Sequence, residues 1–364
     1  MMKEKGKIQK IKIEGFKSIR KQTVDLGDIN ILIGPNGVGK SNFIGVFKLL
    51  NKIINKDLQS HVSKSGGADG FLHFGAKNTP EILILLRFFP NVYKCCLVAT
   101  SRDELIFKKE LVRFEDAYEK TKNLRNTGPE TNLFEYDAYI CQHVRKYMRD
   151  WKVYHFHDTG LSAPLKLTQD IIDSHPLLAD ASNLAPFLFE LKESRSSDDR
   201  KAYEKIVKTI QGAAPFFQDF VLDPERKNED KIRLRWKQSG SDHQFFASDL
   251  SDGTLRFICL TALLLQPEPP NVILLDEPEL GLHPHAIHLL AGLIRKASKK
   301  SQVITSTQSV TLANQFKFED IIVTDRSNGE TQFRRLEERE VSQWLEDYGI
   351  GDLWEKNLIG GTPE

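Results

Sequence analysis

The stretch of sequence that decides the fold is Gly34-Pro35-Asn36-Gly37-Val38-Gly39-Lys40-Ser41. It matches G-x-x-x-x-G-K-[ST], the pattern of a loop whose backbone N–H groups surround phosphate. The apolar run Ile29–Ile33 precedes it and predicts a buried central strand. The segment Asn42–Asn55 follows it and predicts a helix with one apolar face. A strand, this loop and a helix in succession favour a phosphate-binding unit over a chance glycine-rich turn.

The loop also assigns a role to individual side chains. We expect Lys40 to reach the β- and γ-phosphates of ATP and Ser41 to offer its hydroxyl to Mg²⁺. The candidate nucleotide-binding residues are Gly34, Pro35, Asn36, Gly37, Val38, Gly39, Lys40, Ser41 and Asn42.

A second candidate element is the run Val272-Ile273-Leu274-Leu275-Asp276-Glu277-Pro278-Glu279. Four consecutive apolar residues predict a buried parallel strand, and ligands of open α/β sheets bind at the carboxyl ends of such strands. We therefore expect Asp276 to help hold Mg²⁺ and Glu277 to polarise the water that attacks the γ-phosphate. Two adjacent acids at the end of an apolar strand are costly unless a cation or hydrogen bonds satisfy them.

The pentad Leu250-Ser251-Asp252-Gly253-Thr254 precedes an apolar helix that we expect at Leu255–Leu265. It reads as the signature loop of an ATP-binding-cassette (ABC) ATPase, in which a helix N-terminus and a serine hydroxyl bind the γ-phosphate held by another subunit. We expect Ser251, Gly253 and Thr254 to act in trans, on the nucleotide of a second copy. The order of phosphate loop, insertion, signature and acidic strand fits this interpretation.

Three further positions lie near these motifs. The run Leu280–Pro284 fits the D-loop of ABC ATPases, where His283 is either a hydrogen-bonding or a structural residue. Arg256, in the first turn of the signature helix, either adds positive charge near phosphate or is a solvated helix residue. Gln308 follows the apolar strand Gln302–Ser306, where many ABC ATPases carry a histidine. Glutamine can hydrogen-bond phosphate but cannot titrate near neutrality, so we expect slow hydrolysis.

Composition limits the classes of protein that remain. The chain has 364 residues, 40% of them hydrophobic and 28% charged, with a formal net charge of +1. This balance is typical of globular domains and gives no global basic field for nucleic acid. Four cysteines without a C-x-x-C pair fit a reducing cytoplasm, and residues 1–10 contain no apolar leader segment. No apolar run approaches the ~20 residues of a membrane span, so we expect a cytoplasmic protein.

The segment Ile13-Glu14-Gly15-Phe16-Lys17-Ser18-Ile19, together with the phosphate loop, resembles the SMC/RecF branch of ABC ATPases. The resemblance implies an α/β fold: a P-loop NTPase head with a mixed β-sheet flanked by helices and a mostly helical inserted lobe. Residues 1–115 and 231–340 would then form the two parts of the ATPase core, residues 116–230 the inserted lobe and residues 341–364 an aromatic-rich tail.

The chain is more closely similar to small stand-alone bacterial ATPases of this branch, through stretches such as Trp151–Asp158 and Trp344–Gly361. Relatives of this kind resemble members of anti-phage defence modules that are paired with a nuclease-like protein. The resemblance therefore implies a head-to-tail homodimer closed by ATP and Mg²⁺, a nuclease-like effector partner, a possible DNA partner and no membrane.

Three other functions stay open at this point. A transporter ATPase is disfavoured because about 210 residues separate Ser41 from Ser251, roughly double what that family would have. A fusion of ATPase and Toprim nuclease would need an acidic domain after Ser309, where only about 55 residues remain. A scaffold that binds ATP without turnover would differ from the enzyme only in phosphate release.

Some segments admit a functional and a structural interpretation. His155 and His157 have metal-ligand spacing if they lie on a strand, although a hydrogen-bonded structural site is favoured. The segment Arg145–Lys152 mixes basic and aromatic residues, so Tyr147 or Trp151 could stack on bases, but an amphipathic helix is favoured. The tail Trp344–Gly361 is rich in large apolar groups, and we expect it to dock on the core rather than on a partner.

Overall fold

The computed structural model describes residues 7–115, 119–160 and 162–362. Two expectations fall outside these ranges, at least in part. They are the lack of an apolar leader in residues 1–10 and the domain boundary between residues 115 and 116. The chain packs into two compact units. Unit 1 comprises residues 1–153, 270–276 and 301–364, and unit 2 comprises residues 154–269 and 277–300. The division of the chain into a core, an inserted lobe and a tail, with boundaries at residues 115, 230 and 340, stays a prediction.

The first sheet has six strands in the spatial order β17-β16-β3-β15-β14-β8. Their bounds are β3 Ile29–Ile33, β8 Lys152–Tyr154, β14 Val272–Asp276, β15 Gln302–Thr307, β16 Ile321–Ser327 and β17 Glu330–Arg335. Strands β14, β15, β3 and β16 pair in parallel, and β17 is antiparallel to β16. Every residue of β3 and β15 is buried, as the continuous apolar runs predicted for central strands.

The second sheet of unit 1 is antiparallel, in the order β2-β1-β4-β5-β6-β7. Its strands are β1 Lys10–Phe16, β2 Ile19–Asp25, β4 Glu81–Phe88, β5 Asn91–Ala99, β6 Leu105–Glu115 and β7 Glu119–Asn123. The sequence predicts a β-meander over residues 81–115, and the alternation in β4, buried at every second residue, shows the pattern behind this prediction. The sequence predicts only two strands over residues 8–33, which is wrong because β2 is a largely polar strand in which only Ile19 and Val24 are buried.

The helices of unit 1 are α1 Lys40–Ile54, α2 Leu58–Lys64, α3 Tyr139–Arg149, α8 Val310–Ala313, α9 Glu338–Val341 and α10 Ile350–Glu355. A buried apolar cluster joins α1 to both large sheets through residues such as Phe43, Leu50, Ile13 and Leu32. Burial of this apolar face, rather than intrinsic propensity, accounts for most of the stability of such a helix.

Unit 2 contains α4 Leu184–Glu193, α5 Ser197–Ala213, α6 Asp252–Leu265 and α7 Pro284–Ala297. Two small sheets accompany them, one of β10 Phe217–Val221, β12 Arg235–Gln238 and β13 Gln244–Phe246, the other of β9 Gln169–Asp170 and β11 Lys231–Ile232. The alternating residues 231–236 predict a single strand, but the structure has two strands there in different sheets, β11 and β12. The helix α6 is buried along nearly its whole length, which its uniformly apolar sequence predicted.

The C-terminal tail docks within unit 1, as we expected. Leu353 and Trp354 of α10 are buried, and α10 packs on α8. The side chain of Asn314, which follows α8, accepts a hydrogen bond from the backbone N–H of Gly351 at 2.7 Å and donates one to Asp352 at 3.0 Å. The indole of Trp354 donates to the carbonyl of Gly361. Trp354 therefore has an intramolecular partner, whereas Tyr348 stays exposed.

The four cysteines are free and buried. Burial raises the pKa of the Cys259 thiol to about 12 and that of Cys96 to about 11. Because the thiolate is the reactive form, these side chains behave as small apolar groups of the core.

The side chain of Glu110 on β6 is completely buried without a cationic partner among the residues that the structure describes. Its carboxylate instead accepts hydrogen bonds from the Tyr93 hydroxyl at 2.8 Å, the Asn126 amide at 2.7 Å, the Thr131 hydroxyl and the backbone N–H of Asn132. Such charge-assisted bonds are the strong ones. They tie the sheet to the segment that leads from β7 to α3.

We predict that Glu110→Ala lowers the free energy of unfolding by about 3 kcal/mol, because it leaves several buried donors unsatisfied. Urea denaturation followed by fluorescence measures the change. Glu104→Ala, an exposed acid of the preceding turn, is the control and should leave the midpoint unchanged. Equal midpoints for the two variants would show that the network does not stabilise the unit.

Candidate functional site

The site of unit 1 lies where three parallel strands end. In the register of the first sheet, Ile33 of β3 pairs with Thr307 of β15, and Ser306 of β15 pairs with Asp276 of β14. The glycine-rich loop continues directly from β3, and Gln308 follows β15. The carboxyl edge of the sheet therefore brings together the loop, Asp276 and Gln308, the position at which open α/β sheets bind ligands.

Two glycines of the loop cannot be replaced by another residue. Gly34 has a φ of 151° and Gly39 a φ of 114°, both in the region that favours glycine. A Cβ atom on Gly34 would collide with the carbonyl oxygen of Thr324, and one on Gly39 with the hydroxyl of Thr331. The loop thus packs directly against β16 and β17, which fixes its shape from behind.

Lys40 is the first residue of α1, and its side chain is buried with 4% of its surface exposed. Its ammonium group donates to the carbonyl oxygens of Gly34 at 2.6 Å and Pro35 at 2.9 Å. The positive charge is therefore held on the loop, at the N-terminus of a 15-residue helix. Backbone N–H groups at a helix start together with an ammonium make a site for phosphate.

The oxygen atoms near Lys40 form a small cluster. The hydroxyl of Ser41 donates to a carboxylate oxygen of Asp276 at 3.4 Å, and the hydroxyl of Ser306 donates to the same oxygen. Hydroxyl and carboxylate oxygens are the ligands that Mg²⁺ prefers. The residues present thus fit the predicted metal: Ser41 and Asp276 would hold it, and Ser306 would orient the carboxylate.

Several residues that support the loop were not predicted from the sequence. The Thr331 hydroxyl donates to the carbonyl of Val38 at 2.6 Å and lies 2.6 Å from the Ser18 hydroxyl, which accepts a hydrogen bond from Asn42 at 2.7 Å. Arg326 donates to the carbonyl of Gly37 at 3.3 Å. These partners are 24 to 313 positions apart in the chain, so no local pattern could have revealed them. Ser306 could have been found, because parallel strands of known order place it beside Asp276.

Glu277 follows Asp276 directly at the end of β14. Its φ of 46° lies in the left-handed region, which is uncommon for a residue with a side chain. Backbone strain of this kind occurs at functional sites, where the surrounding structure holds it in place. The conformation turns the chain sharply after the Asp276 carboxylate. The role of Glu277 as the residue that polarises water stays a prediction.

The signature motif lies in unit 2, at the start of α6. Ser251 is the N-cap of α6, where its hydroxyl accepts a hydrogen bond from the backbone N–H of Thr254 at 3.2 Å and lies 2.8 Å from the Thr254 hydroxyl. A cavity of about 130 Å³ opens beside it. The residues that line this cavity include Ser251, Gly253, Thr254, Gly281, Leu282 and His283. The cavity therefore joins the signature to the D-loop in one surface.

Close packing and one arginine hold the two motifs together. A Cβ atom on Gly253 would collide with the carbonyl oxygen of Gly281. Arg256 donates to the carbonyl of Leu280 at 3.0 Å and to that of His157 at 3.1 Å. Arg256 thus links the signature helix to the D-loop and to the segment after β8, which is neither of the two roles considered from the sequence.

The histidines of unit 2 have structural contacts. His283 is the N-cap of α7, and its ring nitrogen accepts a hydrogen bond from the backbone N–H of His285 at 3.2 Å. His155 and His157 lie after the end of β8 rather than on a strand, with ring centroids 6.2 Å apart. Within the described ranges, no group of three or more His, Cys, Asp or Glu residues could hold a metal.

The aromatic residues at the end of α3 belong to the core. Trp151 is fully buried, and its ring lies 5.9 Å from that of Phe47. Tyr147 stacks on Phe88 at a centroid distance of 4.6 Å. Stacking of Trp151 on nucleic-acid bases is therefore excluded, and the favoured interpretation of an amphipathic helix is correct.

Comparison with known proteins places these motifs in a family. Residues 110–314 match the family model described as "AAA domain, putative AbiEii toxin, Type IV TA system", which covers more than half of the chain. Residues 7–173 match the model described as an AAA ATPase domain. No curated protein matches the chain.

None of the described helices is long and apolar enough to cross a bilayer.

Two solved structures of SMC head domains have a similar fold. One is a crystal structure of the SmcHead bound to the C-winged helix domain of ScpA, with a TM-score of 0.54 and 15% identity over 92% of this chain and 99% of that one. The other is the Smc head domain of Pyrococcus furiosus with an extended coiled coil, bound to the C-terminal domain of ScpA. Its TM-score is also 0.54, with 14% identity over 93% and 98% of the two chains. The α/β fold expected from the resemblance is thus confirmed.

We predict that Gly253→Ala destabilises unit 2 by about 1–3 kcal/mol, because the new methyl group would displace the backbone of Gly281. Hydrogen exchange of residues 280–284 should become faster. Gly292→Ala is the matched control, since a Cβ atom there meets nothing within 4 Å and alanine favours the interior of α7. If both variants exchange alike, the contact between the two motifs does not constrain the D-loop.

Proposed function

The chain belongs to the family described as "AAA domain, putative AbiEii toxin, Type IV TA system", and we propose that it is an ATP-hydrolysing switch that closes as a head-to-tail dimer. The observation that carries this proposal is the common edge of β3, β15 and β14. There, a glycine loop with a buried ammonium lies beside a carboxylate–hydroxyl pair suited to Mg²⁺. This combination serves phosphoryl transfer and few other reactions.

Each loop residue has a separate task in nucleotide binding. The backbone N–H groups of residues 34–42 surround the phosphates, and Lys40 exchanges its carbonyl partners for the β- and γ-phosphate oxygens. Ser41 and Asp276 hold Mg²⁺, which neutralises the charge of the phosphates when it is bound. Because the loop is packed against β16 and β17, its donors need little rearrangement, and this preorganisation favours the transition state.

Hydrolysis transfers the γ-phosphoryl group of ATP to a water molecule, and ADP leaves with the β–γ bridging oxygen. Glu277 accepts a hydrogen bond from this water, so that a water oxygen forms the new bond to phosphorus while the bond to the β–γ bridging oxygen breaks. Gln308, at the end of β15, donates a hydrogen bond to the γ-phosphate or the water. Since its amide cannot take up a proton near neutrality, turnover is slow.

The signature completes the site from a second copy of the chain. The N-terminus of α6 carries positive partial charge, and Ser251 and Thr254 add hydroxyl donors to the cavity beside the D-loop. Gly253 lets the backbone of the D-loop approach this helix closely. In a head-to-tail dimer, each copy of Ser251, Gly253 and Thr254 contacts the γ-phosphate bound by the other copy. Two such sites close by two-fold symmetry.

The dimer acts on a partner. Both SMC heads with a similar fold are bound to domains of ScpA, which supports a protein partner for this chain. The family description "putative AbiEii toxin, Type IV TA system" supports a role in a toxin–antitoxin system. The resemblance of the sequence to stand-alone ATPases of anti-phage modules supports a role in phage defence with a nuclease-like effector. DNA remains a second candidate partner, for which a local basic surface would be needed.

A scaffold that binds ATP with little turnover is the second candidate function. Gln308 is the observation that favours it, because the residue offers hydrogen bonds without acid–base chemistry. Phosphate release by the purified chain distinguishes the two functions.

We predict that Glu277→Gln traps the ATP-bound dimer, because the amide keeps the size of the side chain but is a poor acceptor for the attacking water. Light scattering after size exclusion, with ATP and Mg²⁺, should give the mass of two chains. Glu338→Gln, in the exposed first turn of α9, is the control and should elute as the wild-type chain does.

Two results would count against this proposal. A monomeric Glu277→Gln variant with saturating ATP and Mg²⁺ would contradict the dimer, and unchanged phosphate release by this variant would contradict the role of Glu277. Lys40→Ala should neither dimerise nor release phosphate, because it cannot bind ATP. The comparison with Glu277→Gln separates a loss of binding from a loss of hydrolysis.

A further inference from the structure

Unit 2 contains a cleft that the proposed ATPase cycle does not use. It has a volume of about 670 Å³ and lies between the N-terminal turns of α5 and the C-terminal ends of α6 and α7. Ligand sites of small molecules usually measure about 300–1,000 Å³. Five lysines line it, against three carboxylates. We call it the basic cleft, and its lysines are Lys201, Lys205, Lys296, Lys299 and Lys300.

The three carboxylates of the cleft leave an excess of two positive charges among its five lysines. Asp198 lies 3.9 Å from the ammonium of Lys201, and Asp199 accepts a hydrogen bond from the Ser194 hydroxyl at 2.6 Å. Over the ranges that the structure describes, no carboxylate forms an ion pair with Lys205, Lys296 or Lys299. The cleft therefore has excess ammonium groups that could bind an anion.

Two of these lysines repel one another. Burial, followed by the charge of Lys205, lowers the pKa of Lys296. Lys296 and Lys299 are close to the C-terminus of α7, where the helix dipole stabilises cations. Lys205 lies in the middle of α5, where the dipole gives no such stabilisation. The pair is unfavourable by itself, and an anion between the two ammonium groups would remove the repulsion.

The chemistry of the lining identifies the ligand. Ammonium groups bind phosphate as point charges. The three lysines without an ion-pair partner, Lys205, Lys296 and Lys299, can neutralise the charge of more than one phosphate group. None of the described lining residues is aromatic, whereas single-stranded nucleic acid needs aromatic platforms for its bases. Asp198, Asp199 and Glu268 on the same walls repel any phosphate group that comes near them. Phosphates can therefore occupy only the part of the cleft near the unpaired lysines, which favours a compact ligand over an extended phosphodiester backbone.

We propose that the basic cleft is a binding site for a compact ligand that carries two or more phosphate groups. The site is distinct from the signature motif, because Ser251 caps the N-terminus of α6 and the cleft lies at the opposite end of this helix. Fourteen residues of helix separate the two ends by about 20 Å. The proposal therefore does not depend on the direction or rate of ATP hydrolysis.

Lysine labelling tests the proposal with resolution of single residues. The full chain is acetylated with an N-hydroxysuccinimide ester in the presence and absence of inorganic tripolyphosphate, and each lysine is quantified by peptide mass spectrometry. We expect tripolyphosphate to reduce labelling of Lys205 and Lys296 severalfold and to leave Lys64 and Lys208 unchanged. Unchanged labelling of Lys205 and Lys296 at millimolar tripolyphosphate would overturn the proposal.

A charge-reversal pair provides the second measurement. In a Lys40→Ala background, where the phosphate loop no longer competes, Lys205→Glu with Lys296→Glu should weaken the calorimetric affinity for tripolyphosphate roughly tenfold or more. Lys208→Glu with Lys227→Glu changes the net charge equally, outside the cleft, and should leave the affinity unchanged. Equal losses in the two pairs would show a general charge effect and overturn the site.

Protection by a short DNA duplex tests whether the cleft binds nucleic acid instead. The proposal predicts that tripolyphosphate protects Lys205 and Lys296 at a lower total phosphate concentration than a short duplex does. If the duplex protects them at the lower concentration, the cleft binds nucleic acid and the proposed ligand class is wrong.

Discussion

The parallel pairing of β14, β15 and β3 is the constraint on which the rest of the structure depends. The three strands end together, so that Asp276 lies beside Ser306 and the glycine loop begins beside Thr307. A shift of one residue in this register would turn every side chain to the opposite face of the sheet. Ser41 and Asp276 come within hydrogen-bonding distance only because the register is fixed, although 235 positions separate them in the chain.

Close contacts at two glycines shape the phosphate loop and the signature motif. Gly39 lies against Thr331 in unit 1, and Gly253 lies against Gly281 in unit 2, so neither position has room for a side chain. The hairpin of β16 and β17 adds to the rigidity that the hydrogen bonds of Lys40 give the phosphate loop. This rigidity matters for function because donors that are already in place spend little free energy on rearrangement when phosphate binds.

Much of this arrangement could be predicted from the sequence, because the motifs lie at the ends of strongly apolar segments. The continuous run at Ile29–Ile33 and the alternation at Glu81–Phe88 gave the central strand and the meander. The polar strand β2 could not be found in this way, since pairing with β1 rather than apolar periodicity defines it. The same limit applies to Thr331 and Arg256, whose partners depend on tertiary packing. The basic cleft likewise joins three helices and has no local pattern.

Mixed dimers test the central claim, that each ATP site is shared between two chains, most directly. Lys40→Ala removes the site from the loop side and Ser251→Arg from the signature side. We expect each variant alone to release no phosphate. An equal mixture should recover about a quarter of the wild-type rate, because half of the dimers are mixed and each mixed dimer has one intact site. No recovery in the mixture, or full activity of Ser251→Arg alone, would contradict a shared site.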